Sequence, residues 1–412
     1  MERSSLVIGG GVAGMAAAVA LADSGIKVYL VEREPFLGGH GAFFSCKATD
    51  KCATCGLCLL PQMLSRTMTY PQISLLSRST LIGLTKHDGG FRAELTQRPR
   101  YVDLNKCTSC GACLEVCPTR AIQMPSPEAP PSACFIDDSK CLSLKGEHCV
   151  LCQERCPTGA VVFDDSSKRL GLDVGAIIVA TGFEAFEARR KGSLGYGHYH
   201  NVLTGLDLER MFNREGALKL LSSKQPKDIA FIQCVGSRDE SQGSGYCSQV
   251  CCKYATRFAR LIKHQDPEAK VTIFYIDLQT AGKGFAEFFE ECRGQIRFVR
   301  GIPVEVTGAA GDRLMVRFED SAQGKQLKEE FDLVVLSTGI GPRKDSWGLA
   351  KVLGVNLDEY GFFDSPDGVE TNVEGVFLAG TCQGPKDIPG SIAHGQAAAE
   401  RAVPFLGRAF HR

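Results

Sequence analysis

A glycine-rich turn near the amino end places the tightest limit on the fold of this chain. The run Gly9-Gly10-Gly11-Val12-Ala13-Gly14 follows the apolar segment Leu6–Ile8 and precedes the alanine-rich segment Met15–Ser24. A GxGxxG motif between a strand and a helix is typical of a βαβ unit that holds a dinucleotide pyrophosphate at the helix N-terminus. Glu32 directly follows the next predicted strand, Val28–Val31, and lies about 20 residues after Gly11. An acidic residue at this position binds ribose hydroxyls. The sequence therefore predicts an α/β, dinucleotide-binding fold.

Later segments indicate FAD as the dinucleotide. Two predicted strands end in Ala180-Thr181-Gly182 and Ser337-Thr338-Gly339, and Gly375–Thr381 precedes a helix predicted to begin near Ser391. This pattern resembles the flavoproteins of the thioredoxin-reductase and glutathione-reductase type, which have two Rossmann-like domains. In that family an aspartate occupies the position of Thr381. The predicted cofactor-binding residues are Gly9, Gly11, Val12, Ala13, Gly14, Glu32, Arg33, Gly38, Gly39, Thr181, Gly182, Gly380, Thr381 and Ile388.

Length and charge narrow the class of protein further. A chain of 412 residues suits roughly two or three domains. Lys and Arg number 47 and Asp and Glu also number 47, so nothing favours a nucleic-acid partner. No apolar run approaches the ~18 residues that span a bilayer, and the first strand begins too early for a targeting peptide. We therefore expect a cytoplasmic protein without a membrane span of its own.

The 19 cysteines are the second dominant feature of the sequence. A disulfide framework is not expected in a chain without an export signal, so metal ligands or reduced thiols are the alternatives. Most of the cysteines are clustered at short intervals, which favours metal ligation. Cys292 and Cys382 stand apart and are expected to be buried thiols.

The most specific cluster is a ferredoxin pattern. Cys107, Cys110, Cys113 and Cys117-Pro118 have the spacing of the bacterial two-cluster run, in which the fourth cysteine binds the neighbouring [4Fe–4S] cluster. The second half has Cys149, Cys152 and Cys156-Pro157, but Cys141 precedes Cys149 by seven intervening residues instead of two. Cys134 is therefore an alternative ligand to Cys141. The expected ligands are Cys107, Cys110, Cys113 and Cys156 for one cluster, and Cys117, Cys141, Cys149 and Cys152 for the other.

Two further groups leave more alternatives open. Cys46, Cys52, Cys55 and Cys58 follow Gly38-Gly39 and could bind a cluster, bind zinc or include a redox dithiol. The other group consists of Cys234, Cys247, Cys251 and Cys252. It occupies the turn of a second α/β unit (strand Ile229–Cys234, helix Ser248–Lys263), where a reductase of this fold binds NAD(P)H. Both adjacent cysteines can bind one metal centre only if the helix starts at them.

These segments predict an interrupted domain order. The first part of an FAD-binding domain (1–100) contains the cysteine loop 46–58, and an inserted ferredoxin domain (101–165) follows it. The remainder comprises a second FAD-binding part (166–225), a second nucleotide-type domain (226–340) and a third FAD-binding part (341–412).

Taken together, these motifs resemble the A subunit of heterodisulfide reductase and its relatives, which include flavoprotein subunits of quinone-interacting and class II benzoyl-CoA reductase complexes. The resemblance rests on Gly9–Gly14, the ferredoxin insert, Gln233–Arg238, Tyr246–Cys252 and the run Gln383-Gly-Pro-Lys-Asp-Ile-Pro389. It implies that Cys234, Cys247, Cys251 and Cys252 hold an unusual [4Fe–4S] cluster near a non-covalent FAD. It also implies other complex subunits and ferredoxin as partners, with electron bifurcation in some members. The sequence departs from the longer subunits of that family in two ways. It does not contain their further cluster domains, and Cys58 adds to a region in which they have fewer cysteines.

The function expected from these parts is an anaerobic electron-transfer subunit of a multi-subunit oxidoreductase. FAD exchanges electron pairs and the clusters exchange single electrons. Lys283 and Lys386 are the candidate catalytic residues, placed beside the flavin to stabilise its anionic reduced form. The alternative is a self-sufficient NAD(P)H-dependent disulfide or small-molecule reductase, which needs a second intact nucleotide motif.

Overall fold

The amino-terminal part begins with the predicted βαβ unit. The structure, a computed structural model, describes residues 3–125, 129–218, 225–279, 282 and 284–409. The first elements are β1 (Ser4–Ile8), α1 (Val12–Asp23), β2 (Lys27–Glu32), α2 (Leu60–Thr69), β3 (Ile73–Ser77), β4 (Ser79–His87) and β5 (Gly90–Gln97). The predicted strand, helix and second strand are confirmed, and β4 and β5 meet at the predicted turn, Asp88-Gly89-Gly90.

The cysteine-rich insert has little regular structure, as its composition predicts. Its elements are α3 (Ala112–Glu115), β6 (Ile122–Gln123), β7 (Phe135–Ile136) and α4 (Leu151–Arg155). A small core that includes Val102, Ile136 and Val161 is interspersed with cysteine side chains. A core of this size normally needs metal sites or other cross-links for stability.

The remaining chain alternates strands and helices. The next elements are β8 (Lys168–Val174), β9 (Ala176–Val179), β10 (Glu184–Ala185), β11 (Val202–Thr204), α5 (Gly205–Glu215), β12 (Asp228–Val235), α6 (Cys251–Gln265), β13 (Lys270–Tyr275), α7 (Phe285–Arg293) and β14 (Arg297–Arg300). The last are β15 (Glu305–Gly308), β16 (Leu314–Asp320), β17 (Lys325–Phe331), β18 (Leu333–Thr338), β19 (Ile340–Gly341), α8 (Ser346–Leu353), β20 (Val376–Leu378) and α9 (Ile388–Ala409).

Three helices begin at other residues than predicted, and the first of them, α1, begins at Val12 and not at Met15. Helix α6 begins at Cys251 and not at Ser248, because Gln249 has a left-handed backbone (φ +59°) that a helix cannot include. Helix α9 begins at Ile388 and not near Ser391. The Asp387 carboxylate accepts a hydrogen bond from the Gly390 amide (2.9 Å) and so satisfies the first turn three residues earlier.

Two parallel five-stranded sheets dominate the architecture, and they confirm the predicted pair of Rossmann-like units. The first has the order β20-β9-β1-β2-β3 and the second β11-β18-β12-β13-β14. Each is accompanied by a three-stranded antiparallel sheet, β4-β5-β8 and β15-β16-β17 respectively. Strands of the first sheet thus come from three separate stretches of the chain.

Helices α1 and α9 pack closely against each other over the first sheet. Their contact consists largely of small residues, among them Ala17, Ala398 and Ala402, which are all fully buried. A Cβ atom at Gly395 would come within 2.2 Å of the Ala13 carbonyl oxygen, so only glycine fits there. This close approach brings the start of α9 beside the glycine-rich turn. None of the described helices has the length and apolar character to cross a membrane.

Candidate cofactor and cluster sites

A cavity of about 670 Å³ lies where the carboxyl ends of the two parallel sheets meet. Ligands of open α/β sheets bind at such ends. Most of the predicted cofactor-binding residues line it: Gly9, Gly11, Val12, Ala13, Glu32, Arg33, Gly38, Gly39, Thr181, Gly182, Thr381 and Ile388. Gly14 and Gly380 lie behind this lining. A Cβ atom at Gly380 would come within 2.5 Å of the Ala13 side chain.

The three motif glycines have different structural roles. Gly9 has a φ of +111°, and a Cβ atom there would approach the Ala180 carbonyl oxygen to 2.3 Å. At Gly14 a Cβ atom would lie 1.8 Å from the Gly9 carbonyl oxygen, so Gly14 lets α1 start directly above the turn. At Gly11, by contrast, a Cβ atom would meet nothing within 4 Å. Gly11 therefore leaves open the space where a pyrophosphate would approach the helix.

Glu32 is held rigidly at the end of β2. One carboxylate oxygen accepts the Gly10 amide at 2.7 Å and the other accepts the Glu34 amide at 2.8 Å. Burial raises the pKa of Glu32, and the two backbone hydrogen bonds act against that rise. Because each carboxylate oxygen can accept a second hydrogen bond, Glu32 can also bind ribose hydroxyls.

Thr181, two residues after the end of β9, has a buried hydroxyl that a polar group of a ligand could bind. The Thr181 hydroxyl oxygen is buried and has no hydrogen-bond partner in the described part of the chain, although buried polar atoms normally have one. Thr181 and Thr381 both line the middle of the cavity. The open glycine turn, the fixed carboxylate and this hydroxyl fit FAD: Gly11 would accept its pyrophosphate, Glu32 would bind its ribose hydroxyls and Thr181 would bind a further polar group of the cofactor.

The far end of the cavity is rich in charged side chains. The Lys47 ammonium lies 2.6 Å from the Glu209 carboxylate, and Lys253 lies 2.8 Å from Asp387. Lys386 donates to the side-chain oxygen of Gln383 at 2.6 Å, and burial lowers its pKa. Among the described residues here, cations outnumber carboxylates; the cations are Lys47, Lys253, Arg257 and Lys386. Lys283, the other predicted catalytic residue, lies outside the described residues.

Two histidines lie near this cavity. His394 accepts the Gly380 amide at 3.0 Å through Nδ1, and its Nε2 lies 2.7 Å from the Gly368 carbonyl. Both ring nitrogens are therefore occupied within the protein, which favours a structural role. His40 stacks on Phe183 with ring centroids 4.3 Å apart and lines the cavity. Sequence reasoning missed His40, although it directly follows Gly38-Gly39.

The Lys47–Glu209 pair yields a first testable prediction. Both side chains are almost fully buried, at 4% and 6% exposure, and the Ser45 amide also donates to Glu209. Glu209→Gln would leave a buried ammonium without its counter-charge, so we expect a loss of about 3–5 kcal/mol in the free energy of unfolding. Thermal and denaturant unfolding of the anaerobic protein will measure it. The exposed pair Arg293 and Glu290 is the control, since Glu290→Gln should change stability by less than about 1 kcal/mol.

The cysteines of the second α/β unit surround the carboxyl end of β12. Cys234 is the penultimate residue of that strand and has a left-handed backbone (φ +58°), and Cys251 and Cys252 lie in the first turn of α6. The Cys251 sulfur lies 3.8 Å from the Thr338 carbonyl of β18, and the Cys252 sulfur lies 3.9 Å from the Asp277 carbonyl, just after β13. Because β12 lies between β18 and β13, these thiols flank Cys234 on both sides. The helix starts at the adjacent pair, as joint ligation requires.

The electrostatics of this group reflect its close spacing. Burial, followed by the neighbouring Cys252, raises the pKa of Cys234 to about 12. Burial also raises the pKa of Cys251, with further contributions from Cys234 and Cys252. Arg238, which is hydrogen-bonded to Asp277, acts in the opposite direction on Cys234. Thiolates at these positions need a cation or metal nearby.

The space beside this turn is taken up by the protein itself. A Cβ atom at Gly236 would come within 1.9 Å of the Phe186 ring. The Ser248 hydroxyl lies 3.0 Å from that of Ser237 and accepts the Ile340 amide at 2.8 Å. The groups that a nucleotide would approach are therefore engaged within the chain.

The ferredoxin insert contains a small cavity of about 20 Å³. Four of the residues that line it are the predicted ligands of the second cluster: Cys117, Cys141, Cys149 and Cys152. Burial, then the neighbouring Cys141, raises the pKa of Cys152 to about 11. Cys134, the alternative to Cys141, lies elsewhere, with its sulfur 3.8 Å from that of Cys113.

The two halves of the insert share a hydrogen-bonding pattern. The Ala121 amide donates to the Cys117 sulfur at 3.2 Å, and the Ala160 amide donates to the Cys156 sulfur at the same distance. Both cysteines precede Pro-Thr. Such N–H···S bonds stabilise thiolate ligands of clusters. For the first predicted cluster, Cys113 is buried, Cys107 and Cys156 are half-buried and Cys110 is exposed.

The Cys46–Cys58 loop lies against α6 at the edge of the cavity, which residues of both line. Cys46, Cys52 and Cys58 are exposed, whereas Cys55 is half-buried and lines the cavity. The Thr54 amide donates to the Cys52 sulfur at 3.3 Å. Within the described part of the chain, no three His, Cys, Asp or Glu side chains are arranged to hold a single metal ion. Zinc needs ligands that converge on one point, whereas the thiolates of a cubane bind separate irons.

Family models match the chain in three regions. An FAD dependent oxidoreductase model matches residues 5–45, and a 4Fe-4S binding domain model matches residues 100–123. A pyridine nucleotide-disulphide oxidoreductase model matches residues 135–402. The chain thus contains FAD-binding oxidoreductase domains and a 4Fe–4S-binding motif.

Solved structures with the same fold are found at low sequence identity. The thioredoxin reductase of Lactococcus lactis superposes with a TM-score of 0.55 over 99% of this chain and 100% of its own, at 17% identity. The thioredoxin reductase of T. acidophilum has the same TM-score, coverage and identity. At this identity the likeness establishes the fold alone.

Curated relatives cover nearly the whole chain. The A subunit of the H2:CoB-CoM heterodisulfide,ferredoxin reductase of Methanothermobacter marburgensis is 38% identical over 98% of this chain. The iron-sulfur A subunit of the CoB–CoM heterodisulfide reductase of Methanocaldococcus jannaschii is 40% identical over 97%. The chain spans 64% of the length of each of these relatives. It therefore belongs to the pyridine nucleotide-disulphide oxidoreductase family, among the members that resemble the A subunit of heterodisulfide reductase.

Proposed function

We propose that this chain is the FAD- and iron–sulfur-containing electron-transfer subunit of an anaerobic oxidoreductase complex of the heterodisulfide-reductase type. Its partners are other subunits of that complex and ferredoxin. The observation that carries the proposal is the position of the cavity: one end is a dinucleotide turn, and the other lies beside Cys55 and helix α6, which begins with Cys251 and Cys252. Bound FAD supplies the conversion between electron pairs and single electrons.

The residues of this chain determine where each cofactor sits. Gly9, Gly11 and Glu32 bind the dinucleotide, and the cations at the far end of the cavity stabilise negative charge. Clusters are assigned to four groups of thiols, two in the ferredoxin insert, one at Cys234–Cys252 and one at Cys46–Cys58. The division into an interrupted FAD-binding domain, a ferredoxin insert and a cluster-binding second domain follows from this assignment.

The direct test is the cofactor content of the anaerobically purified chain, with iron, acid-labile sulfide and FAD measured per polypeptide. We expect about 16 irons and one FAD, because each of four cubanes holds four irons. Reduced ferredoxin should then bleach the flavin absorbance through the clusters. About 8 irons together with bleaching by NADH would instead support the self-sufficient reductase, because only the insert would then hold metal.

Lys386 provides a second prediction about the flavin site. The Lys386 side chain lines the cavity, and no carboxylate of the described residues lies within ion-pair distance of its ammonium group. This positive charge should therefore favour the anionic reduced flavin. We expect Lys386→Met to lower the flavin midpoint potential in a spectroelectrochemical titration. A tenfold change in the reduction equilibrium is about 30 mV for this two-electron couple. Lys351→Met, at an exposed position on α8 outside the cavity, should leave the potential unchanged.

A further inference from the structure

Helix α6 joins two of the cysteine groups. Its first turn contains Cys251 and Cys252, and two later residues bind the loop that holds the Cys46–Cys58 group. The Arg257 guanidinium donates to the Ala53 carbonyl at 2.8 Å and to the Thr54 carbonyl at 3.2 Å. Arg260 donates to the Thr49 hydroxyl at 2.6 Å and to the Lys51 carbonyl at 2.8 Å. The loop is thus held by a helix of the other α/β unit.

Arg257 is a buried cation that has no ionic partner among the described residues. It is only 8% exposed, and no carboxylate of the described residues lies within 4.0 Å of its guanidinium. The charge of Asp387 acts on Arg257, but the Asp387 carboxylate is already paired with Lys253 at 2.8 Å. Burying an unpaired charge is costly, so proteins normally place an opposite charge beside it.

The other buried cations of this region show the contrast. Lys47 and Lys253 are as deeply buried as Arg257, and each has a carboxylate within 2.8 Å. The two hydrogen-bond acceptors of Arg257 are instead the carbonyls of Ala53 and Thr54, which lie between Cys52 and Cys55 in the chain. Burial lowers the pKa of Arg257, and the charges of these two cysteines and of Asp387 act against that effect. Negative charge on these two cysteines would therefore balance the buried guanidinium.

We propose that Arg257 is the charge partner of a [4Fe–4S] cluster held by Cys46, Cys52, Cys55 and Cys58, and that it raises the reduction potential of that cluster. A cubane with four thiolates is negatively charged in both of its usual redox states and gains further negative charge on reduction. A buried cation beside it therefore favours the reduced state. The inference rests on the proposed function, which assigns a cluster to this loop.

The position of Arg257 along α6 gives the assignment a functional consequence. Arg257 is the sixth residue after Cys251, and at 1.5 Å per residue this offset is about 9 Å along the helix axis. Cys55 and Arg257 both line the cavity. Helix α6 thus sets the distance between the proposed clusters at Cys234–Cys252 and Cys46–Cys58. With Arg257 beside it, the loop cluster accepts an electron more readily than it would without this charge.

The test is an EPR-monitored dithionite titration of the full chain, purified without oxygen, as wild type, Arg257→Gln and Arg257→Lys. Cys55→Ser identifies the loop cluster, because its signal and about four irons should be lost. In Arg257→Gln we expect the midpoint of that signal to fall by at least a tenfold change in equilibrium, about 59 mV for one electron. Arg257→Lys should restore most of the shift. Arg260→Gln is the matched control, because Arg260 binds the same loop but has Asp50 at 3.9 Å.

Each outcome of the titration supports or overturns the charge-partner role of Arg257. Loss of the loop iron in Arg257→Gln but not in Arg257→Lys also supports the charge-partner role. An unchanged midpoint in Arg257→Gln, or equal loss of iron in both variants, overturns it and leaves a packing role. If Cys55→Ser removes no iron, the loop holds no cluster and the inference fails. The proposed function fails separately, if reduced ferredoxin does not bleach the flavin.

Discussion

Gly14→Ala abolishes FAD binding and lowers the free energy of unfolding by about 3 kcal/mol or more, the upper end of overpacking costs. The added methyl group would lie 1.8 Å from the Gly9 carbonyl oxygen, and both atoms belong to backbone segments that cannot rotate away. Alanine is the better helix former by about 1 kcal/mol, so the intrinsic propensity acts in the opposite direction. Circular dichroism melting and FAD content of the purified variant measure the two effects.

Gly11→Ala is the matched control for this prediction. Gly11 has a φ of −77°, which alanine adopts readily, and a Cβ atom there meets nothing within 4 Å. We expect wild-type stability of the apoprotein and weaker FAD binding, because the methyl group enters the space reserved for the pyrophosphate. Equal stability of the two variants would contradict the distinct roles assigned to these glycines.

Cys251→Ser removes about four irons per chain, together with one set of EPR signals, and leaves the secondary structure intact. Cys251 is buried at the start of α6, and the thiols of Cys234 and Cys252 influence its pKa. A serine hydroxyl is a poor iron ligand, so a cluster bound by this group should be lost or converted to a smaller species. Iron analysis and EPR of the dithionite-reduced protein test the prediction.

Cys382→Ser distinguishes a ligand from a buried thiol. The Cys382 sulfur donates to the Val179 carbonyl at 3.1 Å and the Ala379 carbonyl at 3.3 Å, and a hydroxyl can make the same bonds. We expect no loss of iron from this variant. Full iron content in Cys251→Ser would instead show that the Cys234–Cys252 group is not a cluster site.

Local sequence patterns predicted the parts of the molecule that depend on near neighbours. The turn from Gly9 to Gly14, the strand that ends at Glu32 and the crowded thiols at Cys251 and Cys252 all follow from short-range spacing. Their structural positions agree with the prediction, because a strand–glycine–helix unit has few alternative geometries. The two parallel sheets were predictable for the same reason.

Features that depend on tertiary contacts were not predictable. Lys47 meets Glu209, and Lys253 meets Asp387, across long stretches of chain, and a single sequence contains no signal for such pairs. The start of α6 at Cys251 depends on the left-handed backbone of Gln249, which is not a typical residue for that conformation. Spacing also left Cys141 and Cys134 as alternatives, whereas the fold separates them, with Cys141 beside Cys152 and Cys134 beside Cys113.

The division of the first sheet among three stretches of chain has a consequence for biosynthesis. Strand β20 pairs with β9 and the start of α9 lines the dinucleotide cavity, so the described lining is complete only after Ser391 has left the ribosome. The ferredoxin insert is contiguous, and its small core consists of its own residues, so it can fold much earlier during translation. If the proposed cofactors are present, iron–sulfur loading of the insert is therefore free to precede flavin capture during translation.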